Sequence, residues 1–221
     1  EISECLVGSE MCIRDRNEVW PGDSVFPSFT NPKVRSWWAD KQKFLIDMGV
    51  RGVWNDMNEP ASFKGPLPDD VQFADEDDTA ILHKDAHNIY GHCMAMATKD
   101  GWLKYDGRRP FIITRAAYAG TQRYSMFWTG DNQSIWAHLQ MAIPQLCNLG
   151  LSGFSYAGTD VGGFGADTTK ELLARWVQVG CLSPFFRNHS AQGTRRQEPW
   201  QFDKELLAVS YTHLRAHETL A

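Results

Sequence analysis

Charged side chains follow five short apolar segments of this sequence, each at the point where the segment ends. Buried carboxylates need ionic partners or a catalytic task. In parallel α/β proteins the carboxyl ends of the strands carry the chemistry. The sequence therefore predicts one site assembled from several strand ends. Its charged residues are Asp56, Arg115, Asp131, Asp160, Arg187 and His189.

Two of the acids, Asp56 and Asp131, have the residue types that cleavage of a glycosidic bond requires. One carboxylate must stay ionised to attack or stabilise the anomeric carbon, whereas the other must keep its proton for the leaving oxygen. Arg115 is a candidate cation beside the ionised acid, and the Trp128 ring a candidate apolar neighbour of the protonated one. The alternative is a structural network of ion pairs.

Two further side chains, Asp160 and His189, are candidates to hydrogen-bond sugar hydroxyls, although His189 could equally be a core histidine. The glycine-rich VGGFG segment after Asp160 lacks the lysine of a phosphate-binding loop. His83 and His87 lie one helical turn apart, but neither an HExxH pattern nor a third ligand accompanies them. We therefore predict packing or surface histidines, no metal site and no cofactor.

Helices and strands alternate along the predicted chain. Proline at position 32 opens a helix that Gly49 ends, and a buried strand leads from there to Asp56. The segments 17–31 and 63–79 are predicted to be loops. Further helices are predicted at residues 80–99, 135–149 and 168–180. Further strands are predicted at residues 110–114, 127–128, 153–157 and 183–186.

Repeated strand-then-helix units with polar groups at the strand ends indicate an α/β protein of the (β/α)8, or TIM, barrel type. A complete barrel needs eight strands and about 250 residues, but this sequence shows five strands. We therefore expect the C-terminal part of a barrel, about five βα units, in an incomplete form. A doubly wound sheet is the alternative, but it would not usually place acids and bases at five successive strand ends.

The composition and the two ends of the sequence restrict the class of protein further. A net charge of −5 gives no reason to expect nucleic acid or an acidic membrane as a partner. Residues 1–16 and 209–221 resemble translated adapter sequence, so we expect the native catalytic domain at residues 17–208. Three cysteines in that range, Cys93, Cys147 and Cys181, are predicted to be buried thiols. With no signal peptide visible, we expect a cytoplasmic protein.

Four segments between about residues 19 and 204 resemble glycoside hydrolase family 31, the retaining α-glucosidases. They read GVWNDMNEPASF, ITRAAYAGTQRYSMFWTGDN, GFSYAGTDVGGFG and SPFFRNHSAQGTRRQEPW. The resemblance implies that Asp56 is the nucleophile and Asp131 the acid/base. It also implies a glucose-binding subsite and further walls from the other matched positions. Those of the subsite are Arg115, Trp128, Asp160, Phe164, Arg187 and His189, and those of the walls are Trp20, Trp54 and Met57.

The expected activity is therefore that of an exo-acting retaining α-glucosidase on α-glucoside oligosaccharides, without a cofactor. The earlier barrel strands and the flanking β domains of the family are absent from this sequence, so we expect the chain alone to be poorly stable and inactive. The alternatives are an α-xylosidase, α-galactosidase or transglucosidase of the same family, or a non-catalytic carbohydrate-binding homologue. A metal-dependent hydrolase built on His83 and His87 is a weaker alternative.

Overall fold

A computed structural model describes residues 16–218, and the chain divides into two compact units between Met126 and Phe127. Over residues 16–126, the first unit contains six strands and two α-helices. They are β1 (Arg16–Val19), β2 (Gly22–Val25), α1 (Pro32–Asp47), β3 (Gly52–Asn55), β4 (Gln72–Ala74), β5 (Ala80–Leu82), α2 (His83–Tyr105) and β6 (Phe111–Thr114). The boundary falls inside β7 (Met126–Trp128), whose last two residues belong to the second unit. The second unit also contains α3 (Trp136–Leu151), β8 (Ala157–Val161), α4 (Lys170–Cys181), β9 (Phe185–Asn188) and α5 (Lys204–Glu218).

The start of the described chain is a β-hairpin, so the predicted loop over residues 17–31 is wrong in its first half. Strands β1 and β2 pair antiparallel, with Val19 opposite Gly22. The chain reverses at Gly22, whose φ of 99° is open to glycine and strained for other residues. The sequence prediction missed the hairpin because the turn contains Trp20 and Pro21 instead of a common turn pair.

Helix α1 and strand β3 confirm the helix and strand predicted before Asp56, but the expected burial of the strand is wrong, because Asn55 alone of its four residues is buried and Trp54 is exposed. Asn31 caps the helix by accepting a hydrogen bond from the Lys33 backbone N–H at 2.8 Å, and Pro32 occupies the first helical position. Strand β3 pairs parallel with β6, so that Gly52 lies opposite Phe111 and Asn55 opposite Thr114. The two strands therefore end at the same level.

A second hairpin, β4 with β5, occupies the end of the predicted acidic loop and the start of the predicted helix. Helix α2 consequently begins at His83, three residues later than predicted from the sequence. The His83 backbone N–H donates to the Val71 carbonyl at 2.7 Å, which fixes the start of the helix to the loop before β4. Periodicity alone could not separate a three-residue strand from the first helical turn.

The core of the first unit lies between α1, α2 and the second hairpin, β4 with β5. Its buried cluster includes Phe29, Phe73 and Tyr90. The helices approach closely at Gly101, where an added Cβ would lie 2.3 Å from the Ala39 carbonyl oxygen. Only glycine permits that approach, which brings α2 and α1 together behind β3.

In the second unit, β7 pairs parallel with β8, and β8 with β9. The strand predicted at residues 153–157 is wrong in position, because β8 runs from Ala157 to Val161 and contains Asp160. All five β8 residues are buried, so the segment that looked like a polar strand end lies inside the sheet. The helix after the glycine-rich segment is capped by Thr169, not Thr168, through a bond to the Leu172 N–H.

Helices α3 and α4 pack against the strands of the second unit and α5 packs against α4, with a core that includes Val161, Leu173, Trp176 and Leu206. Helix α5 continues to Glu218, through residues assigned above to a non-native tail. That assignment stays a prediction, and residues 1–15 lie outside the described part of the chain. Within residues 16–218, no helix has the length and apolar character needed to cross a membrane.

Candidate active site

Asp56 lies one residue beyond β3 and faces a guanidinium group delivered by the end of β6. Arg115 Nη1 is 3.5 Å from Asp56 Oδ1, and Arg115 Nε is 3.0 Å from Glu59 Oε1. The Asp56 Oδ1 atom is buried and makes no hydrogen bond to any described residue. Its contact with a positive charge is the ion pair with Arg115. One arginine therefore forms ion pairs with two partly buried carboxylates that follow β3.

The Asn58 side chain links the loop after Asp56 to the residues on either side of Arg115. Its side chain, 1% exposed, donates from Nδ2 to Thr114 Oγ1 at 2.9 Å and accepts from the Ala116 N–H at 2.9 Å. Arg115 is thus held between two residues that are tied to the loop after Asp56. Met57, between Asp56 and Asn58, has a φ of 56°, a left-handed conformation that is rare outside glycine and concentrates at functional sites.

A cleft of about 760 Å³ opens beside Asp56 within the first unit. Asp56, Met57 and Asn58 line it together with aromatic side chains that include Trp37 and Trp38. Its size suits a ligand of one or a few sugar rings, and aromatic walls with few polar groups are typical of small-molecule sites. Asp56 therefore lies on the wall of a concave surface.

Two tryptophans predicted as site walls have different surroundings. Trp54, the third residue of β3, is 46% exposed and lines a neighbouring cavity of about 590 Å³ that Asp56 also reaches. Trp20 is 80% exposed at the tip of the first hairpin, and its ring packs edge-on against Phe63 at 5.0 Å. The exposed ring is available to a ligand, whereas its packing on Phe63 fixes the tip of the hairpin.

In the second unit, Asp131 follows β7 on an exposed turn, after Gly130 with a φ of 83°. The next residue, Asn132, is buried. Its Nδ2 donates to Thr159 Oγ1 at 2.9 Å and to the Asp160 carbonyl at 3.0 Å. Asp131 therefore extends from a backbone that is fixed on its C-terminal side.

Asp160 is fully buried in β8 and accepts a hydrogen bond from Arg187 Nη2 at 2.6 Å. The Arg187 guanidinium also lies over the Trp128 ring, 4.9 Å from its centroid. Close by in sequence, the Phe164 and His189 rings are 5.2 Å apart. The structure thus brings Trp128, Asp160 and Arg187 into one cluster, and Phe164 and His189 into a contacting pair.

The sequence reasoning missed Gln197. Its side chain is 3% exposed, and Nε2 lies within 3.2 Å of three backbone carbonyls, those of Val161, Gly163 and His189. Asn188 Nδ2 in turn donates to the Gln197 carbonyl at 2.9 Å. Gln197 therefore joins the ends of β8 and β9. No local signal marks it, because a glutamine eight residues from His189 has no fixed spacing to β8.

The histidines on α2 occupy packing and surface positions, as predicted. His83 is buried near Phe73, and the exposed His87 ring lies 4.8 Å from it. Burial, and to a lesser degree the neighbouring His87, lowers the pKa of His83. No group of three or more metal-ligating side chains occurs among residues 16–218.

The cysteines are free, but only partly as predicted. Cys93 is buried and Cys181 half-buried, and burial raises the pKa of both thiols. Cys147 is exposed, so the expectation of three buried thiols is wrong for this residue. It lies on α3, where the buried residues are Leu139 and Ala142.

Each unit therefore holds half of the predicted site. The first contains Asp56, Arg115, Met57, Trp54 and Trp20, and the second the remaining residues from Trp128 onward. The pairing of Asp56 with Asp131 across one cleft joins residues of different units and stays a prediction.

Comparison with known proteins identifies the family of this chain. Residues 4–220 match the profile of the glycosyl hydrolases family 31 TIM-barrel domain. "Alpha-glucosidase 2" of Bacillus thermoamyloliquefaciens is 52% identical over 202 residues, which are 90% of this chain and 26% of that protein. "Neutral alpha-glucosidase AB" of Sus scrofa is 47% identical over 190 residues, or 82% of this chain and 20% of that protein.

Solved structures agree. The chain superimposes on the glucosidase II alpha subunit in a DNJ-bound form with a TM-score of 0.84 and 37% identity, covering 91% of this chain and 22% of that one. The family 31 α-glucosidase of Bacteroides thetaiotaomicron gives a TM-score of 0.79 and 39% identity, covering 91% and 32%. The chain thus spans about a fifth to a third of the length of these relatives.

The first unit pairs β3 with β6 and the second pairs β7 with β8 and β8 with β9, all parallel, and the family match identifies these strands and helices as part of a TIM barrel, as expected. The protein chain belongs to glycoside hydrolase family 31 and forms part of that family's TIM-barrel domain.

Proposed function

We propose that the chain is the C-terminal part of the catalytic barrel of a longer, exo-acting retaining α-glucosidase. The observation that carries the proposal is the position of Asp56, a carboxylate on the wall of a sugar-sized cleft with Arg115 at 3.5 Å. The similar proteins bear the names "Alpha-glucosidase 2" and "Neutral alpha-glucosidase AB", which supports the same activity for the parent protein.

In the proposed reaction, Asp56 attacks the anomeric carbon of the terminal glucose while the bond from that carbon to the leaving oxygen breaks. Asp131 gives its proton to the leaving oxygen. The resulting glycosyl–Asp56 ester is then hydrolysed by a water whose proton passes to Asp131, and glucose leaves with its α configuration retained. The steps use carboxylates alone, so neither a metal nor a cofactor is required.

The charges around each carboxylate suit these roles. Arg115 places a positive charge 3.5 Å from Asp56, the carboxylate that acts as the nucleophile in the proposed reaction. Asp131 is on an exposed turn, where water can reach it for the second step. The buried Asp160–Arg187 pair, stacked on Trp128, supplies fixed polar groups of the kind that bind sugar hydroxyls.

The remaining predicted residues complete the proposed subsite. His189 and Phe164 contact one another and supply a polar and an apolar edge. In this proposal Met57, Trp54 and Trp20 form the other walls, and the substrate is a glucose unit at the non-reducing end of an α-linked oligosaccharide. The proposed location is the cytoplasm, where thiols such as those of Cys93, Cys147 and Cys181 stay reduced.

Two variants of the full-length parent test the mechanism. Asp56→Ala should abolish turnover of maltose, and added azide should then yield the β-glucosyl azide. Asp131→Ala should retain a slow glycosylation step, and azide should yield the α-glucosyl azide from the covalent intermediate. If the two products appeared with the opposite variants, the roles would be reversed.

Retention of the anomeric configuration also requires a particular distance between the two carboxyl groups. The carboxyl groups of Asp56 and Asp131 should lie about 5–5.5 Å apart in the complete protein, whereas a separation of roughly 7 Å or more would indicate inversion. Proton NMR of the first-formed glucose anomer measures the outcome directly. A profile of nitrophenyl α-glucosides, α-xylosides and α-galactosides on the parent tests the choice of sugar.

The chain by itself is expected to be inactive and poorly stable. Large apolar side chains are exposed on it, among them Leu151 at 88% and Leu182 at 74%. Such surface favours association unless other parts of a protein cover it. A soluble and cooperatively unfolding 221-residue protein that hydrolyses maltose would contradict this expectation.

A further inference from the structure

We propose that Asn132 is the positioning residue of the acid/base Asp131. The buried Asn132 amide is hydrogen-bonded to β8 and to the glycine-rich loop after β8, residues 162–165. These bonds fix the backbone that bears Asp131. The Asp131 carboxyl then keeps its direction toward the leaving oxygen. This inference rests on the proposed function, because it assigns a role toward the proposed acid/base.

The Asn132 side chain uses both of its N–H groups and its oxygen. Nδ2 donates to Thr159 Oγ1 at 2.9 Å and to the Asp160 carbonyl at 3.0 Å, and Oδ1 accepts from the Phe164 N–H at 2.8 Å. The side chain is only 9% exposed, so these bonds have little competition from water. An amide with partners in three directions cannot rotate without losing them.

The Asn132 backbone repeats the same connection. Its carbonyl oxygen accepts from the Phe164 N–H at 3.0 Å and from the Gly165 N–H at 2.9 Å. Two residues on, the Ser134 N–H donates to the Gly165 carbonyl at 2.8 Å, and Ser134 Oγ donates to the Gly162 carbonyl at 2.8 Å. Residues 132–134 are therefore joined to the glycine-rich loop along their whole length.

Two of the three glycines of this loop, Gly162 and Gly163, make a close approach to neighbouring residues possible. A Cβ on Gly163 would lie 2.5 Å from the Ser134 backbone nitrogen, and a Cβ on Gly162 would lie 2.8 Å from the Gln197 side chain. The VGGFG segment lacks the lysine of a phosphate-binding loop. Its structural role is to bring its backbone against residues 132–134.

The restraint begins one residue after Asp131. Asp131 itself is exposed and follows Gly130, a residue with a positive φ. The peptide that joins Asp131 to Asn132 is consequently fixed at its C-terminal end. A general acid must lie within hydrogen-bond reach of the atom it protonates, so a fixed backbone at this point controls protonation specifically.

The nucleophile side offers a matched comparison in Asn58. This buried asparagine bonds Thr114 Oγ1 and the Ala116 N–H, both at 2.9 Å, and so supports Asp56 and Arg115. Loss of Asn58 should impair attack by Asp56 whatever the leaving group. Loss of Asn132 should impair protonation, which matters only where the leaving group needs a proton.

The experiment compares kcat/KM of the full-length parent for maltose and for α-glucosyl fluoride, because fluoride departs with little help from an acid. For Asn132→Ala we expect a loss of about 100-fold on maltose and of less than about 3-fold on the fluoride. For Asn58→Ala we expect similar losses on both substrates. Thermal melting of each variant checks that it folds.

A milder variant covers failure of Asn132→Ala to fold. Thr159→Val keeps the shape of a buried side chain but removes the oxygen that accepts from Asn132 Nδ2. We expect a smaller loss with the same preference for maltose over the fluoride.

Equal losses on both substrates, or no loss on either, in the variant that folds would overturn the positioning role. An unmodified parent that hydrolyses neither substrate would instead overturn the proposed function, and would show this before any variant is compared.

Discussion

Arg187 donates a hydrogen bond of 2.6 Å from Nη2 to Oδ1 of Asp160, whose side chain is completely buried. The charge of Asp160 is thus compensated inside β8, and its partner extends from β9, the next strand. A buried ion pair of this kind is expensive to break, because removal of one member leaves the other charge without compensation.

We therefore expect Asp160→Leu in the full-length parent to reduce the free energy of unfolding by about 3–5 kcal/mol. The double variant Asp160→Leu/Arg187→Met should recover part of this loss of stability, because no charge is then left buried. It should not recover activity. The exposed pair Lys43–Asp47 is the control, and Lys43→Ala should cost less than about 0.5 kcal/mol. Chemical denaturation measures all three, and a double variant less stable than the single one would contradict the explanation.

Two glycines with almost equal φ angles allow the effect of backbone strain on stability to be distinguished from the effect of close packing. Gly163 has a φ of 90° and would place a Cβ 2.5 Å from Ser134, whereas Gly193 has a φ of 86° with no atom within 4 Å of that position. Gly193→Ala should cost about 1–2 kcal/mol, the strain of a left-handed residue. Gly163→Ala should cost clearly more and should lower activity, since it moves Ser134 and the residues beside it.

Melting temperature and kcat/KM of the parent and the two variants provide the measurement. Equal effects of the two substitutions would show that the contact with Ser134 is unimportant.

Arg115 contacts two carboxylates from different atoms of its guanidinium, and lysine cannot reproduce that geometry. We expect Arg115→Lys to lower kcat/KM of the parent by about 100-fold, the usual effect of removing one preorganised electrostatic group. Glu59→Gln should lower it by less, because a hydrogen-bond acceptor for Arg115 remains. Kinetics on maltose test this order, and a larger loss for Glu59→Gln than for Arg115→Lys would assign Glu59 a more direct role.

His83 predicts a pH dependence of stability. Its pKa is lowered in the folded protein, by burial first and by His87 second, so the unfolded state binds the proton more tightly. The stability linked to His83 is therefore complete above the unfolded pKa of about 6.5 and is lost as the pH falls through the lower folded value. His83→Phe should make thermal unfolding of the parent less dependent on pH between about pH 5 and 7. An unchanged dependence would exclude His83 as its source.

The sequence by itself determined the class of fold and the identity of the charged groups. Asp56, Arg115 and Asp131 follow apolar segments, and the structure places each just beyond β3, β6 or β7. Apolar runs that end in charges can be recognised locally, because the change from apolar to charged residues lies within a few consecutive positions of the sequence. The same local reading misplaced β8, since the aromatic segment before Ala157 has the composition of a strand but lies outside the sheet.

Only the tertiary structure decided what holds those groups in place. Asn58, Asn132 and Gln197 are ordinary amides in the sequence, yet their partners are separated from them by 56, 27 and 36 residues in the bonds to Thr114, Thr159 and Val161. A hydrogen bond between distant residues depends on strand register and on the close approach that Gly162 and Gly163 allow. Neither leaves a periodic signal along the chain, so the supports of the site become visible only when the strands are side by side.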